Sequence, residues 1–125
     1  MRAVEPMLRT WDFPATLRFY VDVLGFHCNS QSEEWASFQR DDVTLMFSGP
    51  NEHMSEEGPS LTGSLYFRVT DVDEMWRQLK GRAQLCYPIE TFDYGMREFA
   101  VYDNNGYVLQ FAAPVRATGL ELSAS

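Results

Sequence analysis

Two stretches carry, at strand spacing, side chains that bear on chemistry. Glu5, Met7 and Arg9 share one face of a first extended segment, and Ser64, Tyr66 and Arg68 share one face of a second, because side chains alternate along a strand. Three readings of Glu5 stand side by side. It can meet the positive charge of a ligand. Walled in by aromatic rings and stripped of water, it would gain a raised pKa suited to a general base for proton abstraction. Or it is a structural carboxylate bonded to Arg9 and Ser64. Arg9 in turn can pair with a ligand carboxylate, with Glu5 or with a surface Asp. Trp35, Phe38, Tyr66, Phe92 and Tyr94 can wall a flat, partly apolar ligand or pack as ordinary core, whereas Trp76, on a helical face with Leu79, reads as core.

Other chemistries find little footing. His27 follows the first helix and His53 lies in a polar stretch, and both read as solvated imidazoles rather than metal ligands. Cys28 and Cys86 have no metal-type spacing and read as reduced thiols. His-x-Glu, paired cysteines and a nucleophile elbow are absent, and Gly63, Gly81 and Gly95 do not form a phosphate-cradling loop. A formal charge of −8 argues against nucleic acid, which is bound through clustered Lys and Arg. The same charge favours a cationic small molecule, though it also serves solubility. No stretch approaches the roughly 20 apolar residues that span a membrane, and no basic-then-apolar signal pattern opens the chain, so a soluble cytoplasmic protein is expected.

The elements that must position these residues begin with a strand over residues 4–10. A helix follows, capped by Asp12, with Pro14 in its first turn, Leu17, Tyr20 and Leu24 on its apolar face and Gly25 as its stop. Residues 29–35 read as a turn, residues 35–40 as a strand, Asp41 and Asp42 as a hairpin, and residues 43–48 as a buried strand. Residues 48–62 hold two prolines, two glycines and no sustained period, and read as a loop that can act as a lid.

The second half repeats the first. Residues 65–69 alternate as a strand, Asp71 with Glu74 three positions on opens a helix, Val72, Met75, Trp76 and Leu79 form its apolar face, and Gly81 stops it. Asp12 corresponds to Asp71 and Glu5 to Ser64. The hairpin "FQRDDVTLMF" corresponds to "VYDNNGYVLQF", with Asn105 and Gly106 as a tight turn and Met46 aligned with Gln110. Two modules, residues 1–48 and 63–112, are therefore expected around a connecting loop at 49–62, with a fraying tail at 113–125. With 45% hydrophobic residues the chain has enough apolar material for a core.

Two tandem β-α-β-β-β modules, "FYVDVLGF" in the first and "YGMREFAVYDNNGYVLQF" in the second, resemble the vicinal oxygen chelate superfamily. That group includes glyoxalase I, bleomycin-resistance proteins, fosfomycin-resistance enzymes and extradiol dioxygenases. The resemblance implies an α+β fold in which the modules form curved sheets around a cleft. "MRAVEPMLRT" is similar to the start of bacterial glyoxalase I, with Glu5 where that enzyme has a metal-binding His, and Arg9 where it has an Arg that contacts its glutathione conjugate. Carried through the repeat, the other three ligand positions fall on Met46, Ser64 and Gln110. Of these four residues Glu5 alone is a strong donor for nickel, zinc or manganese, so no metal and no other cofactor is expected.

The resemblance and the residues together imply a metal-independent binder of the bleomycin-resistance type that sequesters a cationic or aromatic organic ligand in its cleft. The expected contacts are Glu5, Arg9, Trp35, Phe38, Met46, Ser64, Tyr66, Tyr94 and Gln110, and a homodimer is implied. The competing expectations are a glyoxalase-like lyase or isomerase, with an atypical metal site or Glu5 as catalytic base, and a structural or regulatory dimer without a ligand.

Overall fold

The computed structural model describes residues 1–49, 61 and 63–115. It divides into two units, residues 1–62 and 63–125. Residues 50–60 and 62 of the expected lid, His53 among them, and the tail beyond residue 115 lie outside the described residues.

In the first unit β1 spans Met7–Arg9, α1 Phe13–Leu17, β2 His27–Gln31, β3 Trp35–Arg40 and β4 Val43–Ser48, and the sheet order is β1-β4-β3-β2. β1 runs parallel to β4 and every other pairing is antiparallel. The Asp12 carboxylate accepts from the Ala15 amide at 3.0 Å and so caps α1, as its position ahead of Pro14 predicts. α1 continues as a wider π-helical segment, Arg18–Val23, marked by the Leu24 amide on the Phe19 carbonyl at 3.0 Å. Gly25, at φ 75°, lets the chain leave the helix, while the Arg40 guanidinium donates to the Leu24 carbonyl at 2.6 Å and satisfies a helix-end acceptor. Tyr20 and Leu24 are buried; the Tyr20 ring meets Phe26, Phe38 and Phe47, and this aromatic cluster holds the helix on the sheet.

Three expectations for this unit are corrected. The first strand is only three residues long, since Pro6 has no amide to pair and its carbonyl instead accepts from Met46 at 2.8 Å. The turn expected at residues 29–35 is preceded and partly replaced by β2, His27–Gln31. Its polar composition fits an edge strand whose side chains, Cys28 apart, face water. Phe38 is core, 1% exposed against Tyr20 and Phe47, because alternation turns it toward the helix.

In the second unit β5 spans Ser64–Arg68, α2 Val72–Leu79, β6 Gln84–Thr91, β7 Met96–Tyr102 and β8 Val108–Pro114, in sheet order β5-β8-β7-β6. The strand order and the single parallel pair repeat those of the first unit. Asp71 caps α2 through the Glu74 amide at 3.0 Å. Val72, Met75 and Leu79 are buried, and the Trp76 ring packs edge-on against Phe99, 5.2 Å away. The turn between β7 and β8 closes on Gly106 at φ 92°, with the buried Asp103 carboxylate accepting from the Asn105 and Tyr107 amides at 2.8 Å each. β8 runs to Pro114, two residues beyond the expected end, since Ala113 pairs with Arg97 and is buried. No helix among the described residues is long and apolar enough to cross a membrane.

Candidate functional site

The side of the second sheet turned from α2 collects polar and aromatic groups. Phe99, Phe111 and Phe67 stack on the helix side, with Phe111 centroids 5.3 and 5.1 Å from those of Phe99 and Phe67. Alternation therefore turns their neighbours Glu98, Gln110 and Tyr66 to the other side. The register brings them together: Tyr66 lies opposite Gln110 across the parallel pair, and Gln110 lies opposite Ala100, two residues from Glu98.

Tyr87 joins them through an irregularity in β6. Leu85 pairs with Val101, yet Tyr87, not Cys86, pairs with Ala100, so one extra residue is inserted and the Tyr87 ring turns to the Glu98 side. β6 is an edge strand, which also explains how Pro88 is tolerated next to this bulge.

The resulting network has Glu98 at its centre, 1% exposed. Tyr66 donates to Glu98 Oε1 at 2.8 Å, and Tyr87 donates to Oε2 at 2.5 Å. The Gln110 side-chain amide donates to the Tyr87 oxygen at 2.8 Å and to Glu98 Oε2 at 3.4 Å, while Ser64 donates to Gln110 Oε1. The Tyr94 ring stacks on Phe92 at 5.5 Å, which in turn meets Tyr87 edge-on at 5.9 Å. Among the described residues Glu98 has no ion-pair partner.

These contacts set the charge. Burial pushes the Glu98 carboxyl up, but hydrogen bonds from Tyr87, Tyr66, Tyr94 and Gln110 outweigh it and hold the group below the usual carboxylate range. The phenols move the other way: burial and then the bond to Glu98 raise Tyr66 and Tyr87 above the ordinary phenol value, since a phenolate beside a carboxylate would be like charge on like. The cluster is thus a buried, ionised carboxylate held by neutral phenols. Held so acidic, it suits charge recognition better than proton abstraction.

The other expected contacts are placed as follows. Ser64, Tyr66, Tyr94 and Gln110 come together around Glu98. Trp35, Met46 and Arg9 share the helix-distal side of the first sheet, where Met7 pairs with Met46 and Arg9 with Ser48. The Arg9 guanidinium lies 5.9 Å from the centre of the exposed Trp11 ring. Glu5 precedes β1, is exposed and has no ion pair among the described residues. Glu98 and Tyr87 escaped the sequence reading. The available signal was the alternation of "MREFAVY", which sets one carboxylate in a strand otherwise rich in apolar residues. No such signal announces the bulge.

At the four positions that the resemblance assigns to a metal, the donors do not suit one. Met46 offers a thioether, Glu5 stands outside its strand, and Ser64 and Gln110 are neutral and spent on each other. Among the described residues no three His, Cys, Asp or Glu side chains gather as a metal group.

The family model described as Glyoxalase/Bleomycin resistance protein/Dioxygenase superfamily matches residues 2–111. The chain belongs to this superfamily. Solved structures of the superfamily's fold superpose closely. A glyoxalase/bleomycin resistance protein/dioxygenase from Nocardioides is 15% identical, with 94% of this chain and 87% of that one covered at a TM-score of 0.76. The bleomycin-binding protein of bleomycin-producing Streptomyces verticillus, solved with copper(II)-bleomycin, is 27% identical over 92% of this chain and 98% of that one, at 0.70. Lactoylglutathione lyase from Agrobacterium tumefaciens is 18% identical over 90% and 94%, at 0.71. No curated protein matches the sequence significantly.

Proposed function

We propose that the protein is a metal-independent binder of a small organic ligand, which it sequesters without chemical change. The observation that carries this reading is the replacement of metal donors by the Ser64–Gln110 pair, tied into a wall of Tyr66, Tyr87, Phe92 and Tyr94. Such a wall offers flat apolar surface with fixed polar points, the usual make-up of a small-molecule site. The likeness to a bleomycin-binding protein supports the same reading, whereas the likeness to lactoylglutathione lyase extends to the fold. Ser64, Tyr66, Tyr94 and Gln110 are the proposed ligand contacts, and the working form is a cytoplasmic homodimer, which would cover sheet edges such as β2 and β6.

The lyase or isomerase alternative requires either a metal or Glu5 as base. Glu5 is exposed and precedes β1, which does not favour its use as a base held in a ligand cleft.

The test is calorimetry on metal-stripped protein, titrated with nickel, with zinc and with metal-free bleomycin as the probe. Saturable binding of bleomycin, its recovery intact, and no stoichiometric heat from either metal are expected. Tight one-to-one metal binding that is lost in Glu5→Ala would overturn the proposal in favour of the lyase.

A further inference from the structure

Glu98 carries a negative charge that the hydrogen-bond network stabilises but does not neutralise. Its Oε1 is occupied by Tyr66 and its Oε2 by Tyr87 and Gln110. At 1% exposure the carboxylate itself is out of a ligand's reach. What the surface presents are its partner Tyr66, 44% exposed, and the neighbouring Tyr94, 65% exposed. A phenol that donates to a carboxylate becomes richer in electron density, and its ring face and its remaining oxygen lone pairs then attract cations more strongly. Arg68, two residues along β5, acts on Tyr66 with opposite sign, and Glu90 reinforces the negative field at Tyr94. The stacking of Tyr94 on Phe92 fixes the orientation of that ring.

We infer that this cluster is a recognition site for a weakly hydrated organic cation, such as a methylated ammonium group, seated against Tyr66 and Tyr94 with Glu98 supplying the charge from beneath. The carboxylate's acceptor positions are filled, so it has little to offer a strongly hydrated primary ammonium in exchange for lost water. A methylated cation surrenders less hydration and needs only the rings and the field. Glu98 is on this account a positioning residue, acting through phenols that themselves touch the ligand. The inference rests on the ligand-binding reading above and names the chemistry of the ligand.

The experiment compares choline with its uncharged isostere 3,3-dimethyl-1-butanol by NMR titration of the full chain, following the tyrosine ring signals. Choline is expected to bind roughly tenfold more tightly than the isostere, an order typical of a partly desolvated cation on aromatic faces. In Glu98→Gln the preference falls to about twofold or less, and ultraviolet titration shows the tyrosines ionising at lower pH than in the parent protein. Tyr94→Phe, which alters a largely exposed ring and keeps the fold, serves if Glu98→Gln does not fold: the ring stays, its phenol oxygen is lost, and the preference for choline drops. Equal binding of the two probes, binding of neither, or a preference that survives both substitutions would overturn the inference. If bleomycin binds and choline does not, the binder reading stands and this inference falls; if choline alone binds, the inference stands and the bleomycin likeness is one of fold.

Discussion

At the scale of single residues, the second unit solves the problem of a buried carboxylate with phenols in place of a cation. Tyr66 and Tyr87 each contribute a hydrogen bond and keep their protons, so the charge remains on Glu98. The cost of this arrangement shows with pH. The folded state holds Glu98 below the ordinary value of about 4.3 that the unfolded chain would show, so the unfolded chain takes up the proton first as the solution is acidified. The stabilisation is complete above that ordinary value and is lost as pH falls through the depressed folded-state value. Glu98→Gln, whose amide nitrogen would turn a donor toward other donors, is expected to cost on the order of 1–3 kcal/mol at neutral pH. Urea denaturation at pH 7 and at about pH 3 should show the gap between parent and variant narrowing in acid. A gap that does not depend on pH would show that the carboxylate's charge contributes nothing to folding.

At the scale of elements, the two units use the same devices at the same places. Asp12 and Asp71 each cap a helix through the amide three residues on, and Gly25 and Gly81 each take a positive φ after it. Caps, turns and apolar periods act within a few residues of chain, so these features were legible in the sequence. What was not legible needed pairing partners. β2 is polar because it is an edge, and β1 is short because Pro6 interrupts it, neither of which a periodicity shows. Leu24, 1% exposed, anchors the end of the first helix beside the Tyr20 aromatic cluster. Leu24→Ala is expected to lower stability by about 2–5 kcal/mol through the cavity it opens. A loss below about 0.5 kcal/mol in chemical denaturation would mean that this face does not hold the helix on the sheet.

At the scale of the whole molecule, the chain carries a formal charge of −8, and the proposed site adds a local carboxylate to that field. Cation binding should therefore weaken with salt. Raising ionic strength from about 0.01 to 0.15 M shortens the screening length from roughly 30 to 8 Å, and choline affinity should drop several-fold while that of 3,3-dimethyl-1-butanol stays constant. Equal salt response of the two probes would remove the electrostatic part of the argument.

The sequence by itself determined the strand-helix start and closing hairpin repeated in both halves, the capping aspartates, the tight turn at Asn105 and Gly106, the superfamily, and the equivalence of Met46 with Gln110. That equivalence is visible in the registers, where Met46 lies opposite Met7 and Gln110 opposite Tyr66. All of these follow from local pattern compared between two halves of one chain. Tertiary structure alone brought Glu98 and Tyr87 into the candidate site, beside Ser64, Tyr66, Tyr94 and Gln110. Glu98 acquires its meaning only when β7 lies between β8 and β6, and Tyr87 reaches it only because a one-residue bulge shifts the register of an edge strand. Register is settled by the summed pairing of whole strands, so a single inserted residue exchanges Cys86 for Tyr87 and places a phenol where the carboxylate needs a donor.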